Sequence, residues 1–255
     1  MKAIRNPITI SNAGQDFSID DIRFKVIANQ PIASRQTDQD GVVLGKTWDY
    51  FVKPLLEALG GLEVNRMLEL GIWRGGSAVL WPLITDLEKY VGIDLRQPAF
   101  DFPEAVLNHP RFRTVKLHWA ISQDDRDKLM SIVDSEFDGP LDLVIDDASH
   151  QYEQSKKSFE ILFPKVSAGG FYVIEDWAWA HEESAQQKDH FWAAKPALTN
   201  LIFELLMLAG TKNSVIANIN IFSQFVIVQR GSEPLDNTFQ LSDHILNRDH
   251  RLELV

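Results

Sequence analysis

Five short, almost wholly apolar runs, separated by longer amphipathic stretches, dominate the middle of the chain: "RMLEL" (66–70), "YVGID" (90–94), "FRTVKL" (112–117), "LDLVID" (141–146) and "GFYVIED" (170–176). Strands have this composition when helices cover both faces of a parallel sheet, because neither face is left for polar residues. The stretches between them supply the helices. In "HQYEQSKKSFEILFPK" (150–165), Tyr152, Ser155, Phe159, Leu162 and Phe163 share one face at helical spacing. Gly169-Gly170 then punctuates before the next strand. After a helix-like 197–210, "SVIANINIF" and "QFVIVQRG" lie too close for a helical crossover and predict an antiparallel hairpin, Ile216–Phe222 against Phe225–Gln229. The expected fold class is α/β: a doubly wound (Rossmann-like), mostly parallel seven-stranded sheet with a C-terminal antiparallel hairpin. Its ligand crevice should lie at the C-terminal strand ends.

Composition narrows the function classes. A chain of 255 residues has core enough for one large α/β domain or two small ones. With 25 Lys+Arg against 36 Asp+Glu, the net charge of -11 argues against sequence-independent nucleic-acid binding, which needs a basic face. The absence of cysteine excludes disulfides, thiolate metal sites and a cysteine nucleophile. "MKAIRNPITISNAGQ" lacks an apolar core of signal-peptide length, and "LIFELLMLAG" (201–210) is too short to span a bilayer and contains Glu204. The expectation is a soluble, cytoplasmic protein with neither nucleic acid nor membrane as partner.

"LELGIWRGGSAVL" (68–80) follows a strand and opens a helix. Gly71 permits a tight turn, Gly75 and Gly76 allow a ligand to approach the backbone, and the helix start at Ser77 offers free N–H groups. Trp73 stands where the dinucleotide fingerprint requires its second glycine, and no Gly-Lys-Ser/Thr follows as in a P-loop. Asp94 ends the second strand, where an acid can accept hydrogen bonds from ribose hydroxyls. Together with Glu69, these residues point to a nucleoside cofactor; the plainer alternative is a glycine-rich turn with a capping carboxylate. In "AISQDD" (120–125), Ile121, Ser122 and Gln123 lie where an adenine ring would reach, and the same stretch also reads as a helix cap.

"LVIDDASH" (143–150) and "YVIEDW" (172–177) end the fourth and fifth strands with Asp146, Asp147, Glu175 and Asp176. Adjacent strands lie about 4.8 Å apart, so four acids gathered there need compensation. A hard divalent cation supplies it, and Mg²⁺ suits a few carboxylates plus waters and substrate oxygens. Alternation keeps all four from pointing inward. The favoured ligands are Asp147, Glu175 and Asp176, with Asp146 nearer the cofactor. His150, three residues past Asp147, can return over the strand end by one helical turn and deprotonate a bound hydroxyl; otherwise it is a solvated residue at a helix start capped by Asp147 or Ser149. Trp177, Trp179 and Trp192 in the loop 177–196 either stack on a flat ligand or sugar or simply pack the loop down.

"ELGIWRGGS", "GIDL", "DLVIDDASHQYEQSKKSFEILFPKVSAGGFYVIED" and "PALTNLIFELL" resemble the class I S-adenosylmethionine-dependent methyltransferases. Within them they look most like the metal-dependent O-methyltransferases of macrolide sugars (mycinamicin and macrocin type), and they are also similar to the cephalosporin hydroxylase-like group. The resemblance spans Thr47 to Gly231. It implies S-adenosylmethionine and Mg²⁺ (or Mn²⁺) as cofactors, a metal on Asp147, Glu175 and Asp176, His150 as general base, Asp94 on the ribose, and a small-molecule hydroxylated acceptor. Ala148 stands where a glycine is usual. The implied organisation is an N-terminal extension (1–45) acting as cover, lid or oligomer contact, a methyltransferase domain (46–231) and a polar tail (232–255), in a possible homo-oligomer. The rival readings are an oxidative tailoring enzyme, a nicotinamide dehydrogenase and a non-catalytic cofactor-binding protein. An iron triad of two histidines and an acid would need a second histidine beside His150.

Overall fold

The computed structural model describes residues 8–11, 16–27, 41–60, 62–98, 100–246 and 248. Seven strands form the main sheet: β5 (Arg66–Leu70), β6 (Lys89–Asp94), β7 (Val115–Trp119), β8 (Leu141–Asp146), β9 (Val166–Glu175), β10 (Ile216–Ile221) and β11 (Phe225–Arg230). Their order is β10-β11-β9-β8-β5-β6-β7. β7, β6, β5, β8 and β9 run parallel, and β11 enters antiparallel between β9 and β10. The expected fold class is therefore the one observed, with a single reversed strand.

Strand alternation divides the core into two layers. Met67, Tyr90, Ile145, Val173 and Ile227 face α1 (Lys53–Ala58) and α2 (Gly76–Ile84). Leu68, Val91, Val144, Tyr172 and Val226 face α4 (Arg126–Glu136), α5 (Tyr152–Leu162) and α6 (Thr199–Thr211). A short α3 (Glu104–Leu107) lies between β6 and β7. Phe239 and Leu241 of the C-terminal tail are buried in the second layer, so this part of the tail is a component of the core.

A second sheet lies outside the predicted frame. β1 (Ile8–Ser11), β2 (Asp16–Ile19) and β3 (Ile22–Val26) run antiparallel, and β4 (Val42–Leu44) pairs parallel with β3. Phe17, Ile19, Phe24 and Leu44 enter the same apolar layer as α1 and α2. The contact is close: a Cβ on Gly76 would come 2.1 Å from the Val43 carbonyl oxygen.

Other boundaries shift for identifiable reasons. Pro110 opens a 3-10 turn over Pro110–Thr114, which moves the third strand to Val115–Trp119. Gly169 lies inside β9 at φ +84, where the register jumps from Leu141↔Val166 to Leu143↔Phe171, so the glycine pair serves a bulge within the strand. A π turn (Trp48–Val52) runs into α1, with the Phe51 and Val52 amides both on the Thr47 carbonyl. No helix among the described residues is long and apolar enough to cross a membrane.

Candidate active site

The C-terminal edge of the main sheet gathers the unusual backbone. Trp73, Ala120, His150 and Asp176 follow β5, β7, β8 and β9, and all four have positive φ, between 42 and 58°. Such conformations are costly for side-chain-bearing residues and persist where surrounding structure enforces them. Gly71, at φ +83, permits the central crossing: a Cβ there would lie 2.0 Å from the Asp147 carbonyl oxygen, so the loops after β5 and β8 can touch only through a glycine.

Alternation sorts the acids. Glu69, Asp147 and Glu175 continue the Met67, Ile145 and Val173 positions and share the α1/α2 face, whereas Asp146 continues Val144 and turns to the other. Oxygens of Glu69, Asp147 and Glu175 approach within 4.8 Å of one another, as do ligand atoms of Asp147, His150 and Asp176. Asp147 belongs to both groups and links them. Of the expected trio, Glu175 therefore stands in the first group and Asp176 in the second, each beside Asp147, and neither group holds all three. Among the described residues, His150 is the one histidine in either group.

A residue absent from the sequence reading occupies this cluster. Lys46, two residues after β4 and 7% exposed, donates from Nζ to Asp147 Oδ2 at 2.5 Å and to Glu175 Oε2 at 2.7 Å. Burial alone would push its amine down, but the Asp147, Glu175 and Glu69 carboxylates outweigh that and hold the ammonium above its usual range. One cation does not balance three acids. Glu175 Oε1 and Glu69 Oε1 are buried without a hydrogen-bond partner, and burial, reinforced by Asp147, raises Glu175 well above the ordinary carboxylate range.

Glu69, fully buried, accepts a hydrogen bond from Tyr90 Oη, and burial pushes it up to about 7 against the pull of Lys46. The folded state therefore holds the Glu69 proton more tightly than the unfolded chain does. That contribution to stability is full below pH 4.5 and is lost as pH rises to about 7. In metal-free protein, Glu69→Gln should gain on wild type by up to about 3 kcal/mol across that interval. Denaturant unfolding at several pH values measures this, and parallel curves for the two proteins would contradict it.

His150 lies in an irregular turn two residues before α5, so no helical turn carries it. Its imidazole nevertheless returns over the strand end, with Nε2 3.8 Å from Asp147 Oδ1 and 3.7 Å from Asp176 Oδ2. Trp179 Nε1 donates to the His150 carbonyl oxygen at 2.7 Å, and the Trp192 ring stands 6.4 Å from the imidazole. Trp179, His190, Phe191 and Trp192 form one aromatic cluster beside it, while Trp177 is tied to the Phe222 carbonyl. His181 pairs with Thr199 instead.

The expected cofactor residues divide. Asp94 ends β6, but its Oδ2 takes the Ile72 and Trp73 amides and its Oδ1 the Arg96 amide, so it braces the glycine loop. Gly75 and Gly76 were expected to admit a ligand. Instead, the Val43 carbonyl fills the space at Gly76, and a Cβ on Gly75 would meet Phe102 Cζ at 2.6 Å. The N-terminal sheet and the Phe100–Phe102 pair, unplaced from sequence, take these positions. Ser77 is buried in the first turn of α2, facing Glu69. Asp146, expected near the cofactor, is 2% exposed and bonds to Ser158, Tyr172 and Gln123. Burial raises its pKa and these donors oppose the rise. Gln123 is committed to the same network, its Oε1 accepting the Ser149 amide. Ile121 donates its amide to the Asp94 carbonyl, Ser122 bonds Asp124, and Asp125 caps α4, so the helix-cap alternative holds for the end of that stretch. The reading also missed Arg74, whose Nη1 is buried without a partner beside the glycine loop.

Residues 68–177 match the model of the methyltransferase domain. The chain is 37% identical over 118 residues to the 8-demethyl-8-(2-methoxy-alpha-L-rhamnosyl)-tetracenomycin-C 3'-O-methyltransferase of Streptomyces olivaceus, covering 44% of this chain and 27% of that protein. It is 34% identical over 118 residues to the mycinamicin VI 2''-O-methyltransferase of Micromonospora griseorubida, with the same coverage. These matches thus span about a quarter of each relative's length. Among solved structures, MycE methyltransferase from the mycinamycin biosynthetic pathway, in complex with Mg, SAH and mycinamycin VI, superposes with a TM-score of 0.52 at 25% identity, covering 70% of this chain and 48% of that one.

Proposed function

We propose that this chain, which carries a methyltransferase domain at residues 68–177, transfers the methyl group of S-adenosylmethionine to a hydroxyl of a sugar or other natural-product acceptor, with Mg²⁺ (or Mn²⁺) as metal. The observation that carries the reading is the pair of oxygen-rich clusters that share Asp147, with Glu69 and Glu175 in one and His150 and Asp176 in the other. The donor set fits a hard cation: all the acids offer oxygen, Glu175 Oε1 is buried without a partner, and Asp176 is 60% exposed at the mouth. Asp147, Glu175 and Asp176 would hold the ion. When bound, the sulfonium donor supplies an electrophilic methyl group and the cation supplies positive charge to the acceptor's oxygens.

The chain's residues do the rest. His150 accepts the acceptor's hydroxyl proton at Nε2, which stands 3.8 Å from Asp147 Oδ1 and 3.7 Å from Asp176 Oδ2. Trp179 and Trp192 form an aromatic wall on which a sugar ring can lie, holding the hydroxyl in line with the methyl carbon. Asp94 Oδ1 accepts one bond and retains capacity for a ribose hydroxyl, while Arg74 offers its unpartnered Nη1 to the donor's carboxylate.

The test is methyl transfer from labelled S-adenosylmethionine to a panel of rhamnosyl and other deoxysugar glycosides, using metal-stripped protein with and without Mg²⁺. Mg²⁺-dependent labelling of a sugar oxygen is expected. Turnover that requires iron and 2-oxoglutarate, without label transfer, would replace this reading with the oxidative one.

A further inference from the structure

Lys46 reaches Asp147 and Glu175 across 101 and 129 residues of sequence. The N-terminal sheet makes that reach possible: β4 docks on the start of α2 through the Gly76 contact, and the chain turns inward two residues later. The ammonium also stands 5.0 Å from the centroid of the Phe51 ring, which is carried by the π turn that follows. Phe51 in turn packs edge-on against Phe225, the register partner of Glu175 in β11. Lys46 is thus held in a built setting, with its charge between two acids that the proposed function assigns to a divalent cation.

Two cations cannot share those oxygens cheaply. A divalent ion between Asp147 and Glu175 would lie within a few ångströms of the ammonium, where like charges repel strongly in a buried site. The lysine stem has rotamers to spare, and the Phe51 ring, already 5.0 Å from the ammonium, stays within reach when the ammonium leaves the carboxylates. We propose that Lys46 is the resident counter-ion of the carboxylate site, and that it competes with the divalent cation for Asp147 and Glu175. Resting on the metal assignment above, the proposal adds that an N-terminal residue sets the affinity of the site. Lys46 stabilises the metal-free fold and weakens metal binding, so loading the site moves a residue anchored in the second sheet.

The experiment is calorimetric titration of Mn²⁺, and then Mg²⁺, into metal-stripped wild type, Lys46→Met and Lys46→Arg, with neither donor nor acceptor present. Lys46→Met should bind at least about tenfold more tightly than wild type. Lys46→Arg, which keeps the charge, should remain within about threefold of wild type. Metal-free Lys46→Met should also melt below wild type and gain more from the cation. Binding by wild type with equal or weaker affinity in Lys46→Met would overturn the competition and leave the metal site standing. Binding by none of the three would overturn the metal assignment and this proposal together. If Lys46→Met is unfolded without metal, millimolar Mn²⁺ should restore it, and a variant that stays unfolded would count against the proposal.

Discussion

Asp147→Ala is expected to lose divalent-cation binding and to reduce methyl transfer by at least about a thousandfold. Asp147 is the one side chain common to both ligand groups, and it lies between Lys46 and His150. Under the proposed function its removal takes an oxygen from the cation, and it takes a hydrogen-bond partner from Lys46. Because it also leaves Lys46 on Glu175 alone, Asp147→Asn, which keeps the shape, separates loss of charge from loss of packing. Initial rates with and without Mg²⁺ measure the effect. A variant whose turnover still rises with Mg²⁺ would remove Asp147 from the ligand set.

His150→Ala should lower turnover by about 10²–10⁴-fold with little change in S-adenosylhomocysteine affinity, since the general-base role proposed for it concerns the acceptor alone. The backbone qualifies the choice of variant. His150 is held at φ +55, which alanine tolerates poorly and asparagine better. The Trp179 bond goes to the backbone carbonyl and survives either exchange. His150→Asn therefore isolates the imidazole, and added imidazole should restore part of the rate. Unchanged turnover in both variants would show that the proton leaves by another route.

The core of the fold was legible because a strand buried on both faces is written as an unbroken apolar run. β5 and β8 match the sequence reading residue for residue, and the acids at the ends of β8 and β9 mark the edge of the sheet where Asp147 and Glu175 meet Lys46. Edge elements carry less signal. β7 is half-buried and includes Lys116 and His118, so Phe112, which belongs to the preceding turn, pulled the boundary forward. Strands of three to five residues built the second sheet, too short for their periodicity to stand out.

The site shows the same division. That Asp146 and Asp147 point apart follows from pleating, but which of them faces the crevice depends on which layer holds α5. Gln123 was placed by strand order beside a nucleoside, whereas its amide is consumed by Asp146, Ser158 and Ser149, a pairing across 23 to 35 residues that no local pattern announces. Lys46 was invisible for a similar reason. A lysine in "VLGKTW" looks like any solvated charge until β4 is known to dock on Gly76.

Calorimetry tests the proposed methyl-donor site and the proposed cation site in one sample. Metal-stripped protein is titrated with S-adenosylhomocysteine, then with Mg²⁺, with NADH as the control ligand and Asp147→Ala in parallel. Saturable S-adenosylhomocysteine binding, no NADH binding, and a Mg²⁺ isotherm lost in Asp147→Ala are the predicted results. A folded sample that ignores S-adenosylhomocysteine, or prefers NADH, would contradict the account.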